Sequence, residues 1–257
     1  MSATESEAAS QLCIYCRTNP AGSNEHIFGT WLITDLTAIL GKAPGHGWIG
    51  SEVNRLEIHG GERRPYRYSF DFTTDTVCHR CNNGWMNNVD IKARRTVHSL
   101  MRGDRTLLTG EARARVAAWA AKTAVTARFA HVEPDYVSEL WTNELFTSHK
   151  APQHWLVWIA HYRGNEGLKY LAEDVRVTAP NSPTDVLIPH GVLMTMVLGQ
   201  LCVQILGFEN IFALTESDIT TALQIWPTSP RNCNWPLNGY VDDSNLDVYA
   251  RRLLGPT

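Results

Sequence analysis

Cys78-His79-Arg80-Cys81-Asn82-Asn83-Gly84-Trp85-Met86 is the stretch on which the reading of this chain turns. Its C-x-x-C knuckle has a counterpart about sixty residues upstream, Cys13-Ile14-Tyr15-Cys16. Two such knuckles supply four thiolates, a complete tetrahedral shell for one structural Zn2+. Unrelated thiols in a reduced cytosol are the alternative, but paired spacing is hard to obtain by chance in a chain of 6 cysteines. Arg17, His79 and Arg80 flank the thiolates and offset the negative charge of a tetrathiolate cluster. A filled shell leaves no open coordination position, so any chemistry must use other residues.

Those residues are Glu25, His26 and Asn82. Glu25-His26 follows the first knuckle closely, and Asn82 directly follows the second. A lone histidine is ordinarily structural. Here, one metal shared by all four cysteines would draw the acid, the imidazole and the amide together. A carboxylate and an amide oxygen are hard ligands suited to Mg2+ or Mn2+. A neutral histidine beside them is a suitable general base for water. Trp85 and Met86 read as core anchors of the following helix. Asn83, Asn87 and Asn88 read as solvated or capping residues.

The order C-x-x-C, Glu-His, C-x-x-C-Asn resembles the zinc-containing HNH endonucleases of the ββα-metal (His-Me finger) class. More closely, Asn24-Glu25-His26-Ile27-Phe28 with Trp31-Leu32, then Cys78 to Met86, is similar to a group of bacterial HNH-signature proteins. The resemblance covers about residues 13–101. It implies a structural Zn2+ on Cys13, Cys16, Cys78 and Cys81. It also implies a catalytic Mg2+ or Mn2+ held by Glu25 and Asn82, with His26 as general base for phosphodiester hydrolysis. DNA is the implied substrate, ahead of RNA. Two departures stand out: Glu25 occupies a place where aspartate is usual, and a long insertion runs over about 31–75.

Working outward, the fold class is α+β. A zinc-stapled ββα-metal finger with its insertion is followed by helices and a C-terminal α+β domain. The expected organisation is a disordered lead over 1–11, an HNH-like domain over 12–103, and a helical connector with the C-terminal domain over 104–257. Within the insertion, Trp31, Leu32, Leu36, Ile39 and Leu40 recur at helical spacing, and strand-like alternation follows over 51–60 and 66–77. Met86, Val89, Ala93, Val97 and Leu100 predict a helix over 82–101, whose first turn would offer free N–H groups to a phosphate. Ala112, Val116, Trp119, Ala120, Thr123 and Ala127 predict another over 110–131, with Arg113, Arg115, Lys122 and Arg128 on its remaining faces. The runs Trp155–Tyr162 and Leu193–Phe208 read mainly as strands, and Cys202 as a small core residue. Gly45 to Gly50 matches G-x-G-x-x-G literally, but Pro44 precedes it and no helix follows, which excludes a dinucleotide site.

Charge is unevenly placed. Residues 78–128 hold 10 Lys/Arg against 3 Asp/Glu, whereas 1–77 hold 6 against 9 and 129–257 hold 7 against 14. A basic segment beside the site suits a phosphate backbone, with Arg80, Lys92, Arg94 and Arg95 as contacts that position without reading sequence. The competing reading is a solvated helix face whose arginines pair with acids of the C-terminal region. No apolar run approaches a membrane span and the first residues lack a secretory pattern, so a cytoplasmic protein without membrane contact is expected. A homodimer would supply the two sites needed to cut both strands. Two further readings stay open: a zinc-scaffolded module that binds nucleic acid or protein without cutting, and a bacterial defence component that needs an activating partner.

Overall fold

The two cysteine knuckles are laced together by main-chain hydrogen bonds before any metal is considered. In the computed structural model, which describes residues 11–41, 73–129, 138–165, 168–178, 187–208 and 221–251, Ile14 N–H donates to Thr76 O, and both Gly22 and Ser23 donate to Val77 O. This lacing runs on into a short antiparallel pair, β1 (Glu25–His26) and β2 (Thr73–Thr74), with Glu25 opposite Thr74 and His26 opposite Thr73. Chain segments about fifty residues apart thus form one hairpin-like arm. The strands expected over 51–60 and most of 66–77 lie outside the described residues, as do His46, His59 and the glycine-rich loop.

The helix expected over 82–101 starts earlier and is not continuous. A single turn, His79–Cys81, opens it, with the Cys78 sulfur accepting the Cys81 N–H at 3.4 Å. A π-type segment, Asn82–Met86, follows, bent at Gly84, whose φ/ψ of −94°/−107° is non-helical. The regular helix α2 runs over Asn87–Arg102; α1 is the helix Thr30–Leu40 within the insertion. Because the turn starts at His79, Asn82 N–H already donates to Cys78 O at 3.0 Å. The first-turn donors are therefore spent on the knuckle, which corrects the expectation that Asn82 opens a helix with N–H groups free for phosphate.

α2 ends at Gly103, whose φ of 71° lets its own N–H and that of Asp104 close on Leu100 O and Ser99 O. Helix α3 (Gly110–Arg128) starts at Thr109, whose side chain accepts Ala112 N–H. α3 corrects a second expectation. It is not one-sided: from Val116 to Ala127 every residue is buried, and Arg113 and Lys122 are buried with them. Its alanines let elements approach from several sides, so Arg113 and Lys122 are enclosed. Arg113 meets this by donating to the carbonyls of Ser229 and Arg231. A short helix α4 (Glu139–Ser148) is capped by Ser138.

The C-terminal part is a mixed sheet. Its path is β10 (Tyr240–Val241), β4 (Leu156–Tyr162), β7 (Leu201–Gly207), β6 (Leu187–Leu198), β5 (Leu168–Thr178), with β8 (Ala222–Trp226) also on β4. β10 runs parallel to β4, and the other pairings are antiparallel. The apolar run Leu193–Phe208 covers the end of β6 and the whole of β7. Gly199, at φ 59°, turns the chain so that Gln200 N–H donates to Met101 O at 2.8 Å, seating the β6–β7 turn on the end of α2. A two-stranded pair, β3 (Thr106–Leu108) with β9 (Cys233–Trp235), lies beside it.

Alternation decides the two faces. Val157, Ile159, Met194, Met196, Val203 and Ile205 face one large core shared with α2, α3 and the cysteine knuckles. Trp158, Ala160, Tyr162, Cys202 and Leu206 fill smaller clusters on the other side, partly covered by α5 (Leu246–Arg251). The buried Gln204 amide holds that helix by donating to the carbonyls of Tyr249 and Ala250. The large core continues across the 103/104 boundary between the two expected domains. Fully buried Trp119 sits within it, and truncation to alanine would cost about 3–5 kcal/mol.

Candidate metal centre and adjoining polar site

The four paired cysteines meet. The sulfurs of Cys13, Cys16, Cys78 and Cys81 all lie within 4.8 Å of one another, and those of Cys16 and Cys78 are 3.7 Å apart. A tetrahedron with Zn–S bonds of about 2.3 Å has edges of about 3.8 Å. The cluster is therefore compatible with a structural zinc. Its surroundings suit thiolates: Asn19 Nδ2 donates to Cys16 Sγ at 3.5 Å, and Cys81 N–H to Cys78 Sγ. Burial pushes the Cys13 and Cys81 thiols up. At Cys16 burial acts in the same direction, but the backbone N–H groups of Asn19 and Thr18 and the neighbouring thiols outweigh it, leaving this thiol at about 6.

Around the cluster, Tyr15 packs edge-on against Trp85 and shares a hydrogen bond with Thr126 on α3. Trp85 stacks on His149 at 5.5 Å with the rings nearly parallel, and Arg17 pairs with Glu139 on α4. Trp85 and Met86 are buried anchors, and Asn83, Asn87 and Asn88 are at most partly covered.

Asn82 is tied to the stretch of chain that leads into β1. Its Nδ2 donates to Ser23 O at 3.3 Å and to Ser23 Oγ at 3.2 Å. Both contacts use the nitrogen, so the amide oxygen accepts no hydrogen bond among the described residues. Two residues beyond Ser23, Glu25 is buried and His26 half-buried, as alternation along a strand dictates. Glu25 turns toward the helices, where Lys122 Nζ stands 3.7 Å from its Oε1 and 2.7 Å from Asp90 Oδ1.

This buried constellation was not legible as such. Glu25 is 6% exposed, Asp90 8% and Lys122 1%. Two carboxylates face one ammonium, a net charge of −1 removed from water. The carboxyl of Glu25 is accordingly raised above the usual range, chiefly by burial and further by Asp90, with Lys122 and His26 opposing. Carboxylate and amide oxygens are the hard donors that a divalent cation takes, and here the Glu25 carboxylate faces the Lys122 ammonium. The one sequence signal for Lys122 was a single charge inside Trp119-Ala120-Ala121-Lys122-Thr123-Ala124-Val125.

Of the four basic residues expected to hold a backbone, Arg80, Lys92 and Arg95 are exposed. Arg94 is engaged elsewhere: it donates to both carboxylate oxygens of buried Asp35 on α1, which also meets His98 Nδ1 at 3.2 Å, and it lies over the Trp31 ring. Its guanidinium is raised, first by the bond to Asp35. In the same basic segment, Arg102 pairs with Asp104 and Arg115 with Glu111. The three acids of this segment are thus taken by Lys122, Arg102 and Arg115, and of the cations in excess Arg94 pairs with Asp35 of the N-terminal part, not with the C-terminal acids that the competing reading named. Among the described residues no helix is long and apolar enough to cross a membrane. No protein-family model, curated protein or solved structure matches this chain.

Proposed function

We propose that the chain is a metal-dependent endonuclease of the HNH kind that hydrolyses phosphodiester bonds of DNA, with a zinc-stapled ββα unit at its centre. The observation that carries this reading is the placement of Glu25-His26 on an arm that Asn82 grips through Ser23, beside four clustered cysteines. Zn2+ on Cys13, Cys16, Cys78 and Cys81 is the structural staple. Glu25 and Asn82 would hold Mg2+ or Mn2+, which when bound supplies a Lewis acid at the scissile phosphate.

The protein's own groups do the rest. His26, half-buried and so within reach of solvent, takes a proton from the attacking water. The water oxygen forms the new P–O bond as the bond to the 3′ oxygen breaks. Arg80, Lys92 and Arg95 hold the backbone without reading bases. A supercoiled plasmid incubated with Mg2+ tests this. Wild type should nick it, chelation of the divalent cation should stop nicking, and His26→Ala should slow it by about 10²–10⁴-fold. Equal nicking by both proteins removes His26 from the mechanism.

The Glu25–Lys122 contact favours a second reading, a zinc-scaffolded nucleic-acid-binding module in which Glu25 is a structural partner of Lys122. Binding of DNA without cleavage, across several divalent cations, would select it.

A further inference from the structure

The outward face of α2 is composed unlike a face meant only for water. The helix has a single acid, Asp90, and that acid is buried. Asn87, Asn88, Ile91, Lys92 and Arg95 are exposed, and no carboxylate of the helix stands among them. Lys92 and Arg95, like Arg80 in the turn before the helix, form no ion pair among the described residues. Ile91 is 63% exposed, and solvation gains nothing from an isoleucine there. Asn87 and Asn88 are interior helical positions, because the helical path arrives from His79 through the π-type segment. They cap nothing, and asparagine is a poor residue for a helix interior. Asn87, Ile91 and Arg95 follow one stripe at spacing of four, with Asn88 and Lys92 beside it. From Asn87 to Arg95 the helix advances about 12 Å, the width of a major groove.

We propose that this face enters the major groove of double-stranded DNA and reads it. Asn87 and Asn88 pair with adenine through N6 and N7, and Ile91 packs on a thymine methyl group. Lys92, Arg95 and Arg80 sit on the flanking phosphates. The chemistry is complementary on each count. A side-chain amide offers the donor and acceptor that match the major-groove edge of adenine. An exposed aliphatic group fits the thymine methyl. Cations with no acid beside them suit the phosphates. The minor groove, about 6 Å wide, does not admit a helix. The inference rests on DNA as the ligand of the hydrolase reading above. It adds a preference for A·T pairs, which the backbone contacts alone do not give.

The test is sequence preference. Duplexes of random sequence are selected on the zinc-loaded full chain without added Mg2+ or Mn2+, so that binding is read without cleavage. Affinities are then measured by fluorescence anisotropy at one salt concentration. The selected duplex should be rich in A·T pairs and bind at least about tenfold more tightly than a G·C-rich duplex of equal length. Asn87→Ala/Asn88→Ala should bring that ratio to within about twofold of unity. Alanine favours the helix, and circular dichroism with zinc content checks the fold. Exchanging thymine for uracil removes the methyl group and needs no variant. It should weaken wild type by about fourfold and Ile91→Ala by less than about twofold. Equal affinity of wild type for both duplexes overturns the inference, as does a ratio that survives in the folded double variant. The hydrolase reading then stands if the plasmid is still nicked. Tighter binding to single-stranded DNA or RNA than to any duplex also overturns the inference, and uracil weakening both proteins alike overturns the assignment of Ile91. Selective duplex binding without nicking supports the inference and selects the module that does not cut. Protein that neither binds nor nicks DNA overturns the hydrolase reading, and this inference with it.

Discussion

Removing zinc should dismantle the centre of this protein, and the proton count on its return should show why. The four sulfurs sit within 4.8 Å of one another, and the Cys16–Cys78 separation of 3.7 Å is already that of a filled tetrathiolate shell. Structural zinc in small knuckles binds with about 10–16 kcal/mol at neutral pH, as much as the whole stability of an ordinary domain. The metal would join segments about sixty residues apart, and Cys13, Cys78 and Cys81 belong with Tyr15 and Trp85 to the large core. Zinc-free protein is therefore expected to lose its cooperative thermal transition or to melt at least about 10 °C lower. Burial pushes the Cys13 and Cys81 thiols up, so both are protonated at pH 7 without metal, whereas Cys16 at about 6 is mostly thiolate. Re-adding zinc should then release at least about two protons per ion, measured by calorimetry in buffers of different ionisation enthalpy. Zinc-free protein that melts within about 2 °C of the loaded form, or zinc uptake that releases no protons, would refute the reasoning.

Glu25 has a carboxyl raised by burial, so its folded form favours the proton more than the unfolded chain does. Its contribution to stability is complete below the ordinary value of 4.5 and is lost as pH rises through the raised one. Chemical denaturation of the cation-free protein should show wild type losing stability relative to Glu25→Gln as pH rises from about 4.5, and a flat difference would contradict the shift. Gly199 has φ 59°, and a Cβ there would lie 2.7 Å from Met101 O, so Gly199→Ala should cost about 1–3 kcal/mol by urea unfolding. Reversing the charge of exposed Arg80, Lys92 and Arg95 together should weaken DNA binding uniformly across sequences and flatten its salt dependence by about three contacts, as read by fluorescence anisotropy.

The site was legible where chemistry is written in short spacing. The two knuckles declared themselves, since C-x-x-C needs only local chain geometry, and the four cysteines do cluster. Periodicity placed α1 and α3 and, within a few residues, α2 and β4, because each has a clear apolar stripe or run. What pattern could not supply was partnership. Asp35 with Arg94, and Asp90 with Lys122, join residues far apart in sequence, and a charged residue on a helix reads as solvated until the helix is known to be enclosed. The π-type bend at Gly84 leaves no mark on apolar spacing. Gly199 did mark the break between β6 and β7, but a glycine within an apolar run also fits a continuous strand.

Anomalous diffraction from a crystal soaked in Mn2+ tests the proposed site most directly. One manganese peak bonded to both the Glu25 carboxylate and the Asn82 amide oxygen, with the His26 ring beside it, is the expected result. A crystal in which manganese avoids that place, while Lys122 stays against Glu25, would contradict it.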